Sequence, residues 1–303
     1  MKIVLCQPAV IRFKWELKVL LTNLKALHFP LNDVVLLFAS EEDEDGYARY
    51  FRREFGVQAY TYKDRRTTRS YIPSIRPYLW WQYLSESKER EQETYLYVDS
   101  DVLFRELPVV PDDLSSNKWY CADTLGYTSY DYVQARPFGD EIIQGMNDIA
   151  QVTTNQLKAI NAGMGGAQWF IKQPTASYWE KVYHDCIAFY QYFKSIPDKT
   201  NDNHDLDGGL QIWTAEMYAQ VWNLAYFGIQ PVVTDELSFS WAVDDIDSWD
   251  KHKIYHNSGV TEAMKDLFYK GAYIGKEPFA DDLSHVNKDK ASYKYVEAIQ
   301  KVK

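Results

Sequence analysis

The chain has 303 residues, a formal net charge of −10 and a pI near 5.1. That acidity argues against an electrostatic grip on a long nucleic acid or an anionic membrane across the whole molecule, leaving room only for a local basic groove. The three cysteines, Cys6, Cys121 and Cys186, are scattered and form no Cys-x-x-Cys pair, which speaks against zinc or redox chemistry and for reduced, buried thiols in a cytoplasmic protein. The apolar opening over residues 1–8 is too short for a secretory signal, and no run approaches transmembrane length.

In chain order, apolar runs predict strands over 3–7, 33–39, 57–62 and 94–98, separated by amphipathic stretches that predict helices over 14–27, 43–55 and 75–85. Each connection is long enough for a right-handed crossover, so the first third reads as a mostly parallel sheet flanked by helices, an α/β fold. Beyond residue 101 the pattern is less regular. It predicts a strand over 119–122, a helix over 140–151, a strand over 164–171, helices over 175–193 and 213–226, a strand over 230–234 and a helical tail over 292–302. The acidic run at 41–45 precedes a predicted helix, where negative charge complements the dipole.

The most informative segment is Tyr95-Leu96-Tyr97-Val98-Asp99-Ser100-Asp101-Val102-Leu103-Phe104, in which two carboxylates interrupt an otherwise apolar strand. Two ionised carboxylates brought together at a strand end repel one another unless a cation or strong donors sit beside them. Oxygen-rich ligation of this kind suits Mg²⁺ or Mn²⁺. The plainer reading, that Asp99 and Asp101 are turn residues, is set against the tendency of ligands to gather at the carboxyl ends of strands in open α/β sheets. By the same rule Gln7 and Pro8, ending the first strand, and Tyr62 and Lys63, ending the third, are candidate nucleotide contacts. Lys63, Arg65, Arg66, Arg69 and Arg76 form the concentrated basic stretch before the two aspartates, and Arg76, just ahead of a helix carrying Trp80 and Trp81, is the preferred diphosphate ligand. An aromatic content of 16%, with 24 Tyr and 10 Trp, is high enough that some rings are expected to line a binding cleft.

A strand ending in Asp-x-Asp about a hundred residues into a chain that begins with a β-α-β unit resembles the nucleotide-sugar glycosyltransferases of the GT-A fold. Trp119-Tyr120-Cys121-Ala122-Asp123, then Asn161-Ala162-Gly163-Met164, and late in the chain Lys253-Ile254-Tyr255-His256-Asn257-Ser258-Gly259 are similar to the family 8, glycogenin-like retaining enzymes. Two departures stand out: Val260-Thr261-Glu262 replaces that family's Lys-Pro-Trp after His-x-x-Gly, and its Asp-Gln-Asp helix start appears here as Thr214-Ala215-Glu216.

The resemblance implies a single catalytic domain, with residues 1–104 as a nucleotide-sugar-binding half and 105–303 as an acceptor-side half closed by a C-terminal helix. It implies that Asp101 and His256 hold Mn²⁺ or Mg²⁺, that Asp99 shares the metal or holds the ribose, and that Gly259 lies on the donor. Asp123 and Asn161, with Gly163 allowing close backbone approach, would lie over the donor sugar. Glu216, with Asp207 in reserve, is the expected acceptor-side carboxylate. The activity implied is metal-dependent transfer from a nucleoside-diphosphate sugar, a UDP-sugar being favoured, to a hydroxyl of an unidentified saccharide, protein, lipid headgroup or modified nucleobase, with retention of configuration. Two rival readings stand beside it. One is a phosphatase of the haloacid dehalogenase type with Asp99 as nucleophile, disfavoured because that motif normally follows the first strand of its domain. The other is a non-catalytic sugar-binding protein.

Overall fold

The computed structural model describes residues 1–42, 46–201 and 209–302. Its strands are β1 (Lys2–Pro8), β2 (Val34–Ser40), β3 (Gln58–Lys63), β4 (Thr94–Tyr97), β5 (Val102–Phe104), β6 (Lys118–Ala122), β7 (Gly166–Lys172), β8 (Thr200–Asn201), β9 (Leu210–Gln211), β10 (Gln230–Val233), β11 (Phe239–Trp241) and β12 (Ile254–His256). Its helices are α1 (Ile11–Ala26), α2 (Gly46–Phe55), α3 (Ile75–Ser85), α4 (Leu125–Thr128), α5 (Tyr130–Gln134), α6 (Gly139–Ala150), α7 (Thr154–Ile160), α8 (Ala176–Ser195), α9 (Ala215–Phe227), α10 (Ser248–Lys251) and α11 (Ser292–Ile299). The chain divides into two compact units, one of residues 2–63, 98–110 and 235–303, the other of residues 64–97 and 111–234 together with Met1.

In the first unit β1, β2 and β3 lie side by side in parallel, with Leu5 opposite Leu36 and Leu36 opposite Ala59. Ile3, Val4 and Leu5 of β1 and all of Val34 to Phe38 in β2 are fully buried. Such continuous apolar strands belong to sheets covered on both faces, which is why they do not alternate in sequence. A second, small sheet takes the order β11-β12-β5, with β12 antiparallel to β5. Beside it lies a core cluster of Trp15, Leu103, Tyr255, Phe268, Tyr273 and Tyr295, among others. Trp15 donates its ring N–H to the Tyr273 carbonyl at 3.0 Å, so the one polar atom of that indole is satisfied inside an apolar core.

In the second unit the strands run β10-β6-β7-β4, with β10 parallel to β6 and β7 antiparallel to both β6 and β4. Helices α3 and α8 meet through Trp80 and Trp179, both fully buried, whose rings stack 5.0 Å apart and 2° from parallel. Gly163 packs so close that an added Cβ would lie 1.9 Å from the Pro231 carbonyl oxygen. Asp64 and Arg66 make a buried fork, with Arg66 Nε and Nη2 donating to the two carboxylate oxygens at 3.0 and 2.9 Å. Burial raises the Asp64 carboxyl, but Arg66 outweighs it and holds the group below its ordinary value.

The expected α/β class holds, and each long element predicted from periodicity is present, α3 with the same bounds. Helix α2 begins at Gly46; the predicted first turn over 43–45 lies outside the described residues. The apolar stretch over 95–104, read as one strand interrupted by two aspartates, forms two strands in different sheets, β4 and β5, while the three-residue strands β11 and β12 had no periodic signal long enough to register. All three cysteines are buried, and none is in a disulfide. Among the described residues no helix is long and apolar enough to cross a membrane.

Candidate functional site

The site grows from the small sheet of the first unit. Pairing of β12 with β5 sets His256 opposite Val102, one residue from Asp101, and the Asn257 backbone N–H donates to the Asp101 carbonyl at 2.9 Å. The imidazole Nε2 then lies 3.3 Å from Asp101 Oδ1 and 3.6 Å from Asp99 Oδ2. Asp99, Asp101 and His256 each offer one ligand atom, and these atoms lie within 4.8 Å of one another. Two carboxylate oxygens and one imidazole nitrogen at that spacing fit a divalent ion such as Mn²⁺ or Mg²⁺. Asp101 and His256 are buried, while Asp99 is half-buried and gives the group its opening to solvent.

Two residues that the sequence reading passed over complete the electrostatics. Lys270 Nζ donates to Asp101 Oδ2. Burial alone would raise the Asp101 carboxyl, but Lys270 and His256 together overcome it and hold the group well below the carboxylate range. On α1, Glu16 is fully buried, paired with Arg12 Nε at 2.8 Å and accepting from Ser100 Oγ at 2.6 Å. Burial first, then the Asp101 charge, raise the Glu16 carboxyl. Glu16 thereby fixes the middle residue of Asp99-Ser100-Asp101. Its signal was readable, an acid set among Trp15, Leu17 and Leu20 on the buried face of a helix. Lys270 gave none, because 169 residues separate it from Asp101.

Gln7 is buried and donates Nε2 to the Leu37 carbonyl at 3.1 Å, and its Oε1 has no hydrogen-bond partner among the described residues. Pro8 and Lys63 close β1 and β3, and Tyr62 is buried beside Lys63. Gly259 has φ +82° directly after a tight turn in which the Ser258 N–H donates to the His256 carbonyl at 2.8 Å, a conformation that favours glycine. The carboxylates after β11 are spent locally: Asp244 accepts from the Trp241 backbone at 2.8 Å, Asp245 pairs with Lys290 at 2.8 Å and Asp247 with Lys251 at 2.6 Å. They form a polar loop, and Trp249 packs against the core cluster.

In the second unit Arg76 Nη1 lies 3.2 Å from Glu216 Oε2, joining the starts of α3 and α9. Tyr71 reinforces that junction, its hydroxyl donating to the Trp213 carbonyl at 2.8 Å and accepting from the Glu216 N–H at 2.7 Å. Asp123 is exposed and caps a turn by accepting from the Leu125 N–H at 3.0 Å. Asn161 is clasped to Asp131, donating Nδ2 to Oδ2 at 2.6 Å and accepting the Asp131 N–H at 3.1 Å. Arg66 is committed to Asp64, and Arg69 donates to the Asp64 carbonyl. Asp207 lies outside the described residues.

No family model matches the chain, and no curated protein matches it. Among solved structures, the apo structure of the bifunctional glycosyltransferase WbbM is similar with a TM-score of 0.51 at 11% identity, over 99% of this chain and 49% of that one. The galactosyltransferase LgtC, in complex with donor and acceptor sugar analogs, has a TM-score of 0.49 at 14% identity, over 100% of this chain and 96% of that one. This chain spans about half the length of the WbbM structure. Its fold is accordingly the mixed α/β, GT-A arrangement found in a glycosyltransferase.

Proposed function

We propose that the chain is a metal-dependent glycosyltransferase that moves a sugar from a nucleoside-diphosphate sugar, with a UDP-sugar favoured, to a hydroxyl acceptor with retention of configuration. The observation that carries this reading is the grouping of Asp99, Asp101 and His256 within 4.8 Å. Cleavage of the anomeric bond leaves negative charge on the departing diphosphate, and a bound divalent ion supplies its neutralisation. Asp101 and His256 would hold that ion directly, with Asp99 sharing it or holding the ribose. Gln7, Pro8, Tyr62 and Lys63, at the carboxyl ends of parallel strands, are assigned to base and ribose, and the Gly259 turn to the donor.

To the second unit the reading assigns Arg76 as a diphosphate ligand and Asp123, Asn161 and Gly163 as donor-sugar contacts. Glu216 is assigned to the acceptor side. Its ion pair with Arg76 supports this, because a guanidinium beside the carboxylate fixes its orientation. Three buried cysteines outside any disulfide agree with a cytoplasmic setting. The phosphatase reading gains no support, since Asp99 follows the fourth strand in chain order rather than the first.

The test is a donor screen with UDP-, GDP-, ADP- and TDP-sugars, with and without Mn²⁺, following release of nucleoside diphosphate by chromatography. Metal-dependent turnover of one donor is expected, and the anomeric configuration of its product reads retention or inversion. Failure of every donor to turn over or to shift the melting temperature would overturn the reading.

A further inference from the structure

Lys270 stands beside the most buried carboxylate of the candidate metal centre. Its ammonium donates to Asp101 Oδ2, while Asp101 Oδ1 faces the His256 imidazole. Both oxygens of that carboxylate are therefore engaged. The lysine cannot move far at its root. It opens a turn over Lys270–Tyr273 whose flanks, Phe268 and Tyr273, are stacked 5.4 Å apart in the buried core cluster, and Trp15 bonds the Tyr273 carbonyl. The buried Glu16 carboxylate, close enough to feel the Lys270 charge, is already committed to Arg12 and Ser100. The tip of Lys270 is free only along its flexible stem, and the side chain is 25% exposed.

A divalent ion ligated by Asp101 would share that carboxylate with an ammonium already bonded to it, and in a buried setting like charges at such range repel strongly. We propose that Lys270 is a tethered cation that opposes divalent metal at Asp101, so that tight metal binding is conditional on an anionic partner that can accept the displaced ammonium. The partner's chemistry is that of a diphosphate, which carries enough charge for the ion and the lysine together. This rests on the metal-centre part of the proposed function. It gives Lys270 a role that spacing in the sequence does not assign, that of setting how strongly the centre binds metal and making that binding depend on donor.

The measurement is Mn²⁺ binding, read as loss of the free-ion electron paramagnetic resonance signal, for the full chain and for Lys270→Met, Lys270→Gln and Lys270→Arg, each checked by thermal unfolding. Without the competing charge, Lys270→Met and Lys270→Gln should bind Mn²⁺ alone about tenfold more tightly than the parent chain, and Lys270→Arg should stay close to it. Adding inorganic pyrophosphate should strengthen Mn²⁺ binding to the parent chain by a larger factor than to the neutral variants. Equal or weaker Mn²⁺ binding in the neutral variants overturns the proposal, as does an equal gain from pyrophosphate in every protein. If neither neutral variant folds, Mg²⁺ titration of the ¹⁵N-lysine-labelled parent chain decides: an ammonium signal protected by Asp101 should be lost on saturation, and its persistence counts against displacement. None of these readouts requires sugar transfer, so they can fail while the donor screen succeeds, or the reverse.

Discussion

At the scale of single residues, the chemistry turns on a carboxylate, Asp101, that is only 3% exposed and is nonetheless kept charged by Lys270 and His256. Asp101→Asn preserves shape and removes the charge. Metal-dependent turnover should fall at least about a hundredfold in kcat/KM in a chain that still unfolds cooperatively, at a lowered melting temperature because the Lys270 ammonium loses its charged partner, and full activity would remove the metal role. Arg76→Ala should weaken donor affinity, measured by titration with a nucleoside diphosphate; an unchanged affinity would take Arg76 out of the site. What the sequence made legible here follows contact distance along the chain. Asp99 and Asp101 announce themselves because they break a local apolar run, whereas Lys270 reaches Asp101 only through folding and has no local signature. Glu16 falls between these cases, visible as an acid on an apolar helix face yet meaningless until Ser100 is placed against it.

At the scale of elements, close packing near β6 and β10 makes a sharper demand than any side chain there. Gly163→Ala would drive a methyl against the Pro231 carbonyl, backbone against backbone, so neither neighbour can rotate away. A loss of about 1–3 kcal/mol is expected, read from urea unfolding, and an unperturbed midpoint would show that the turn can shift without cost. Strands β1 and β2 were legible because they are buried on both faces and read as unbroken apolar runs. Helix α3 was legible down to its ends. Strand β12 was not, since three residues carry no measurable period, and β5 was legible only as the end of an apolar run, and yet their pairing is what brings His256 to Asp101. The late His-x-x-Gly element was therefore found by resemblance, while the reason for its place is a strand register.

At the scale of the whole molecule, stability should respond to metal and to acid. An ion that binds the folded chain and not the unfolded one adds about 2.7 kcal/mol at a hundred times its Kd, so saturating Mn²⁺ should raise the melting temperature, and Asp101→Asn should abolish the rise. For acid, Asp64 has a folded value below its unfolded one, so its contribution is fully present above about pH 4 and is lost as pH falls through the lower folded value. Arg66→Met should lower stability near neutral pH by about 3 kcal/mol and flatten the acid limb of a stability-against-pH curve. An unchanged limb would mean that the fork does not set acid sensitivity. The three cysteines carry a last consequence. Cys6 lies on β1 in one unit, Cys121 on β6 and Cys186 on α8 in the other, and burial pushes the Cys121 and Cys186 thiols up. Thiols so enclosed cannot react with an alkylating reagent until the structure around them opens. Their labelling rates, resolved by peptide mass, would time the opening of each unit separately, giving the chain a built-in clock for its own breathing.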